Sequence, residues 1–157
     1  MLINDYKDLN NKRSLSDLMA ESLDSMALYS DKINGAVREL LLEVEEADSK
    51  GIIMQGDKIL PVARVVIDGV DWLIKIYDHC QFFVSRPIYE DEDKLIKTKI
   101  ICALKFLMEH IEHEDTHYVL YALKGELLPG LRMLDAKIKE LVKFAAMRGK
   151  GHGIALQ

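Results

Sequence analysis

Apolar residues recur along this chain at spacings of three and four, the signature of helices that bury one face. Leu15, Leu18, Met26, Tyr29, Ile33, Val37, Leu40 and Val44, with Ser22 in step, trace one such line and predict a long first helix over residues 14–49. Ser14 followed by Asp17 resembles a capping box at its start. Gly51, in "SKGIIMQGD", supplies the stop as a left-handed C′ residue. Gly35 interrupts the line at about 1 kcal/mol relative to alanine, a loss that packing is expected to offset.

The second helix is expected over 58–84, with Asp57 as its cap and Pro61 in its first turn, where the missing N–H does least harm. It carries two apolar lines. One runs Val62, Val66, Val70, Leu73, Tyr77, Cys80 and Val84; the other runs Val65, Trp72, Ile76 and Phe83. A helix apolar on two sides is expected to be the most buried of its bundle. The β-branched run "VARVVIDGV" also fits a strand, but Asp68 and Asp71 keep helical spacing, and helix is the preferred reading.

Pro87 ends that segment, and the acids of "YEDED" open a third helix over 90–113, since negative charge favours a helix N-terminus. Ile96, Ile100, Ala103, Leu107 and Ile111 face inward, and Lys94, Lys97, Lys99 and Lys105 form its solvated side. A fourth helix over 116–147 carries Leu120, Leu123, Leu127, Leu131, Leu134, Ile138 and Leu141, with a kink or break expected at Gly125, Pro129 and Gly130. Residues 1–13 read as a flexible polar arm, 14–147 as one helical domain, and 148–157 as a flexible Gly-rich tail. Long amphipathic helices with short joints predict an all-α fold, most simply an up-down antiparallel four-helix bundle.

Bulk properties narrow the function classes. The 157 residues suffice for one domain with a real core, and 49% apolar with 30% charged residues is an ordinary globular balance. A net charge of −5 argues against a general affinity for nucleic-acid phosphates. The exception is local: Lys137, Lys139, Lys143, Arg148 and Lys150 near the C-terminus form either a small basic patch or, preferably, cations at a helix C-terminus. Cys80 and Cys102 stand far from any C-x-x-C spacing and are expected as two buried thiols. The N-terminal stretch has no apolar centre suited to a signal peptide, and no run approaches the ~18 apolar residues of a membrane span.

The sharpest chemical candidate is His113-Glu114-Asp115-Thr116-His117, which matches H-E-x-x-H. Zinc hydrolysis by that motif needs both histidines on one face of an unbroken helix, with the glutamate as general base. Here a second charge, Asp115, sits inside the motif, and the segment falls where the third helix should end. The preferred reading is a joint, with Asp115 or Thr116 capping the fourth helix. The alternative is a metal-binding or metal-dependent hydrolase bundle using His110, His113, His117 and Glu114, with Glu109 nearby. Trp72, Tyr77, Phe82 and Phe83 could line a partner groove, though burial in the core is the preferred reading.

Two passages, "ILPVARVVIDGVDWLIKIY" and "DTHYVLYALKGELLPGL", resemble a family of short bacterial helical proteins of unknown function. The likeness rests on Gly69, Trp72 and Leu73 as G-x-x-W-L, and on Asp115, Glu126, Leu127, Leu128 and Pro129. It covers about two-thirds of the chain and implies a cytoplasmic bacterial helical bundle, with no catalytic residue carried over. Size and long helices are also similar to those of export chaperones, as fold-level analogy. The sequence therefore points to a non-enzymatic interaction protein that binds another protein, or itself, through an apolar helix face. One version is a chaperone or adaptor for an exported or motility-related subunit. No catalytic residue, cofactor or metal is assigned on this reading.

Overall fold

The computed structural model describes residues 15–51, 56–84 and 90–151. Among these the chain is all-α, with four helices and no strand. They are α1 (Leu15–Ser49), α2 (Gly56–Val84), α3 (Glu90–Glu112) and α4 (residues 116–151). Helix α4 is continuous but composite: an α segment Thr116–Leu120, a π-helical stretch Tyr121–Leu127, and a second α segment Leu128–Gly151. It runs past the expected end at 147. The arm 1–13, the cap Ser14, and residues 152–157 of the expected tail lie outside the described residues.

Helix ends follow local chemistry. At the end of α1, Gly51 adopts φ +67 and its N–H donates to the Asp48 carbonyl at 3.1 Å, the left-handed stop expected of glycine. Helix α2 begins at Gly56, so Asp57 lies inside the first turn rather than capping it. Pro61 is then the sixth helical residue and sits in the second turn, where its missing N–H leaves one carbonyl of the preceding turn without its usual donor.

Cross-helix contacts place each helix beside the next. Tyr29 meets Trp72, and Gly69 faces Ile33, between α1 and α2. Between α2 and α3, Gln81 donates to Asp93 at 3.1 Å and Lys97 pairs with Asp78. Lys137 pairs with Glu92 at 2.9 Å, Gly130 lies against Ile100, and His110 stacks on Tyr118 between α3 and α4. Ser30 donates to Asp135 at 2.8 Å and Lys139 reaches Asp31 between α1 and α4. Across the first three pairs the residue numbers rise on one helix while they fall on the other, so those helices run antiparallel at these contacts. Helices α1 and α4 do so too, since Ser30 meets Asp135 while Glu45 and Asp48 share a depression with Leu120 and Tyr121.

The inward lines meet in one core that includes Met26, Val37, Leu73, Leu107, Leu131 and Ile138, all fully buried. Three positions depart from the sequence reading. Ser22 is exposed and Leu23 takes the inward place; Val62 is exposed, with Ile59 and Ala63 buried instead; Val119 replaces Leu120, which is half-buried. The first two are one-residue slips in phase, each a 100° turn about the helix axis and enough to carry a side chain from the core face to water.

The third has a structural cause. The Leu128 N–H donates to the Leu123 carbonyl, five residues back, which is the π pattern. Pro129 follows at once. A proline in an α-helix lacks the N–H and crowds the carbonyl four residues back, here that of Gly125. The wider π turn relieves this crowding without breaking the helix, so the expected interruption is a change of winding. It also shifts the phase of the inward line, so that Leu127 and Leu128 are both buried and Val119 turns inward.

The mid-helix glycines of α1 and α2 differ in kind. A Cβ at Gly69 would stand 2.5 Å from Ile33 Cδ1 and 2.8 Å from the Tyr29 hydroxyl, so any side chain there must displace these two ends of α1 side chains. A Cβ at Gly35 would meet nothing within 4 Å. The packing expected to offset Gly35 is absent from this chain's own fold.

Candidate functional site

The H-E-x-x-H segment is a joint. Helix α3 ends at Glu112, and the chain turns before α4 begins at Thr116. The Glu114 N–H donates to the Ile111 carbonyl at 3.0 Å, and the Asp115 N–H donates to the His110 carbonyl at 3.0 Å. This pair of bonds is a Schellman motif, with Glu114 at φ +52 in the left-handed position usually held by glycine. Asp115 occupies the N-cap position of α4 as expected, but its side chain makes no capping hydrogen bond. His113 and His117 therefore lie on opposite sides of a turn, and the single helical face that zinc hydrolysis requires is not formed. Both are exposed, and they line a shallow open depression with Asp48, Gly51, Glu114 and Thr116. Among the described residues, no group of three or more His, Cys, Asp or Glu side chains converges in a way that could hold a metal ion, and His110, Glu109 and Glu114 do not complete one with these histidines.

His110 is engaged differently. Its ring lies between Phe106, at a centroid distance of 4.2 Å, and Tyr118, stacked at 4.6 Å. Its buried Nδ1 makes no hydrogen bond, and Asp115 Oδ2 stands 3.9 Å away. Tyr121 joins the group, with its ring 6.1 Å from Phe106. Its hydroxyl donates to Glu126 at 3.2 Å, and that bond, reinforced by the carboxylate's charge, holds the phenol above its usual range. The sequence reading missed this aromatic group. The spacing of Phe106 to His110 and of Tyr118 to Tyr121 was its signal, but only the turn at 113–115 brings the two pairs together.

The largest departure is on α2. Its second apolar line is not buried where it is described: Val65 is 70% exposed and Trp72 45%, with Val62 of the first line 42% exposed beside them, and the Phe83 side chain lies outside the described residues. Ile76 is half-buried. Tyr77 is buried as expected, and its hydroxyl donates to the buried Asp93 at 3.5 Å. Phe82 is exposed. The expectation that Trp72 and Phe82 fill the core is thus overturned. The core already has its full complement from the first line, and α1 covers the second line only along one margin. There Tyr29 meets Trp72 edge to face at 4.7 Å. Gly69 makes this contact geometrically accessible by letting α1 approach. The G-x-x-W-L passage thus combines a close helix approach at Gly69, an aromatic presented to solvent at Trp72, and a core side chain at Leu73.

The remaining candidates are quieter. Cys80 is buried, and burial pushes its thiol up; Cys102 is exposed, contrary to expectation. Of the C-terminal cations, Lys137 and Lys139 are paired, Lys143 is exposed, and the side chains of Arg148 and Lys150 lie outside the described residues. Lys137 is buried against Glu92, and Lys139 pairs with Asp135 at 2.8 Å, the main reason its ammonium is held above its usual range. None of the helices described is long and apolar enough to cross a membrane. Comparison of the chain with protein-family models, curated proteins and solved structures finds no match.

Proposed function

We propose that this chain is a non-enzymatic interaction module that binds an amphipathic helical segment of another protein along the outer flank of α2. The observation that carries the reading is the exposed line Val62, Val65 and Trp72 on a helix whose core-facing line is already satisfied. An indole with one apolar edge against Tyr29 and the rest in water is a rigid anchor of the kind that dominates binding energy at protein interfaces. Groove-binding helices place side chains at i, i+3, i+4 and i+7, and Val65 and Trp72 are spaced to meet such a ligand. A chaperone or adaptor for an exported or motility-related subunit, acting in a bacterial cytoplasm, is the specific version that best suits long helices and an apolar docking face. Such a protein needs no cofactor, and no catalytic residue is assigned.

A photo-crosslinking side chain placed at Val65 in the source cell tests this. A discrete adduct is expected from position 65 and none from the exposed control position Lys143. Loss of the adduct in a Trp72→Asp background would add weight. Equal labelling from both positions, or none from either, overturns the reading.

A further inference from the structure

A second exposed apolar line lies on a different surface. On α1, Leu28, Gly35 and Leu42 recur at intervals of seven and form a line about 21 Å long on the side turned away from the core. Leu28 and Leu42 are each 64% exposed. Gly35, midway between them, faces open space, so no neighbour in this chain requires the missing side chain. Four exposed charges flank the line. Asp31 and Arg38, three residues beyond Leu28 and Gly35, lie on one side; Lys32 and Glu39, four residues beyond, lie on the other.

We propose that a second copy of the chain docks on this face, with the two α1 helices antiparallel and crossing at Gly35. A two-fold interface must be self-complementary, and this one is. Leu28 meets the partner's Leu42, and the two glycines let the backbones approach at the crossing. In an antiparallel two-fold pair, equivalent sides of the helices face each other. Asp31 then meets the partner's Arg38, and Lys32 meets the partner's Glu39, each pair occurring twice. Within its own chain Asp31 contacts Lys139 at 3.4 Å, and Arg38 donates from Nε to the Asn34 carbonyl at 3.3 Å, so both side chains are rooted beside the line. The antiparallel arrangement also sets the helix dipoles in opposition. A parallel pair would place Asp31 beside the partner's Lys32, also unlike in sign, and the test below separates the two. The contact is one helix wide, below the roughly 1,200 Å² of a standard stable interface, so self-association is expected on the order of tens of micromolar.

Sedimentation equilibrium on the full chain, with circular dichroism to confirm folding, reads the outcome. Wild type is expected to show a monomer–dimer equilibrium. Lys32→Glu alone and Glu39→Lys alone should each weaken it at least tenfold, because each places like charges across the crossing twice. The double variant Lys32→Glu/Glu39→Lys should restore it, since exchange preserves antiparallel pairing but creates like-charge contacts in a parallel pair. Gly35→Leu should abolish it while leaving the helix intact. A chain that is monomeric at millimolar concentration, a dimer indifferent to the single exchanges, or a double variant that stays weak would each overturn the proposal.

Discussion

Val65 and Val66 are the same side chain one position apart on α2, yet Val65 is 70% exposed and Val66 is 1%. The two lines to which they belong differ the same way. Val66, Val70, Leu73 and Tyr77 are sealed by the other helices, whereas Val65 and Trp72 stand half in water. Residue type cannot explain the difference, since both lines are β-branched and aromatic. A 100° step around the helix can. Four helices around one core leave each helix a limited arc to bury, and the second line of α2 falls beyond that arc except where Tyr29 reaches over it. The first line stabilises the fold, and the second holds apolar surface that only a partner can remove from water.

The largest expected effect tests the first line. Leu73→Ala should destabilise the chain by about 2–5 kcal/mol in denaturant unfolding, whereas Val65→Ala should change stability by less than about 0.5 kcal/mol. Comparable losses at both positions would mean that the second line is core after all.

The boundary between the lines comes next. Gly69→Ala must displace Ile33 and the Tyr29 hydroxyl, and a loss of about 1–3 kcal/mol is expected, together with altered emission from Trp72, the chain's sole tryptophan. A neutral result would show that α1 can withdraw from α2 freely.

Gly35→Ala and Glu114→Gly carry the opposite sign. The first adds helix propensity where nothing is in the way, and the second removes a side chain from a left-handed position. Each should stabilise by about 0.5–1 kcal/mol, measured at concentrations where the chain is monomeric. Destabilisation by Gly35→Ala would reveal a neighbour at that face.

The smallest effect is a count. Native protein should react at one thiol with a colorimetric disulfide reagent, at Cys102, and at the second only on unfolding, because Cys80 lies on the sealed line of α2 and burial disfavours its thiolate. Two rapid equivalents in the native state would place the sealed line within reach of solvent.

Much of this architecture is written locally. The phase of apolar residues determined the number and approximate ends of the helices, because each reflects spacing within a few turns. Gly51 and the 113–116 joint were legible for the same reason, as stop signals are properties of single residues and short runs. The joint reading of "HEDTH" stands because Asp115 occupies the N-cap position after a turn, although its side chain does not make the capping bond.

What the tertiary structure decided depends on how many neighbours a face receives. Periodicity shows that α2 has two apolar lines but not that the other helices cover only one. It marks Gly35 and Gly69 alike, although only Gly69 has a helix pressed against it. It places Lys137 among surface cations, while a salt bridge to the exposed Glu92 on α3 lets it lie buried. It sees an obstacle at Pro129 but not the π winding that absorbs it. Helix positions follow from interactions within a few residues. Burial, and with it the candidate docking surfaces, follows from contacts between residues tens of positions apart, which no local pattern encodes.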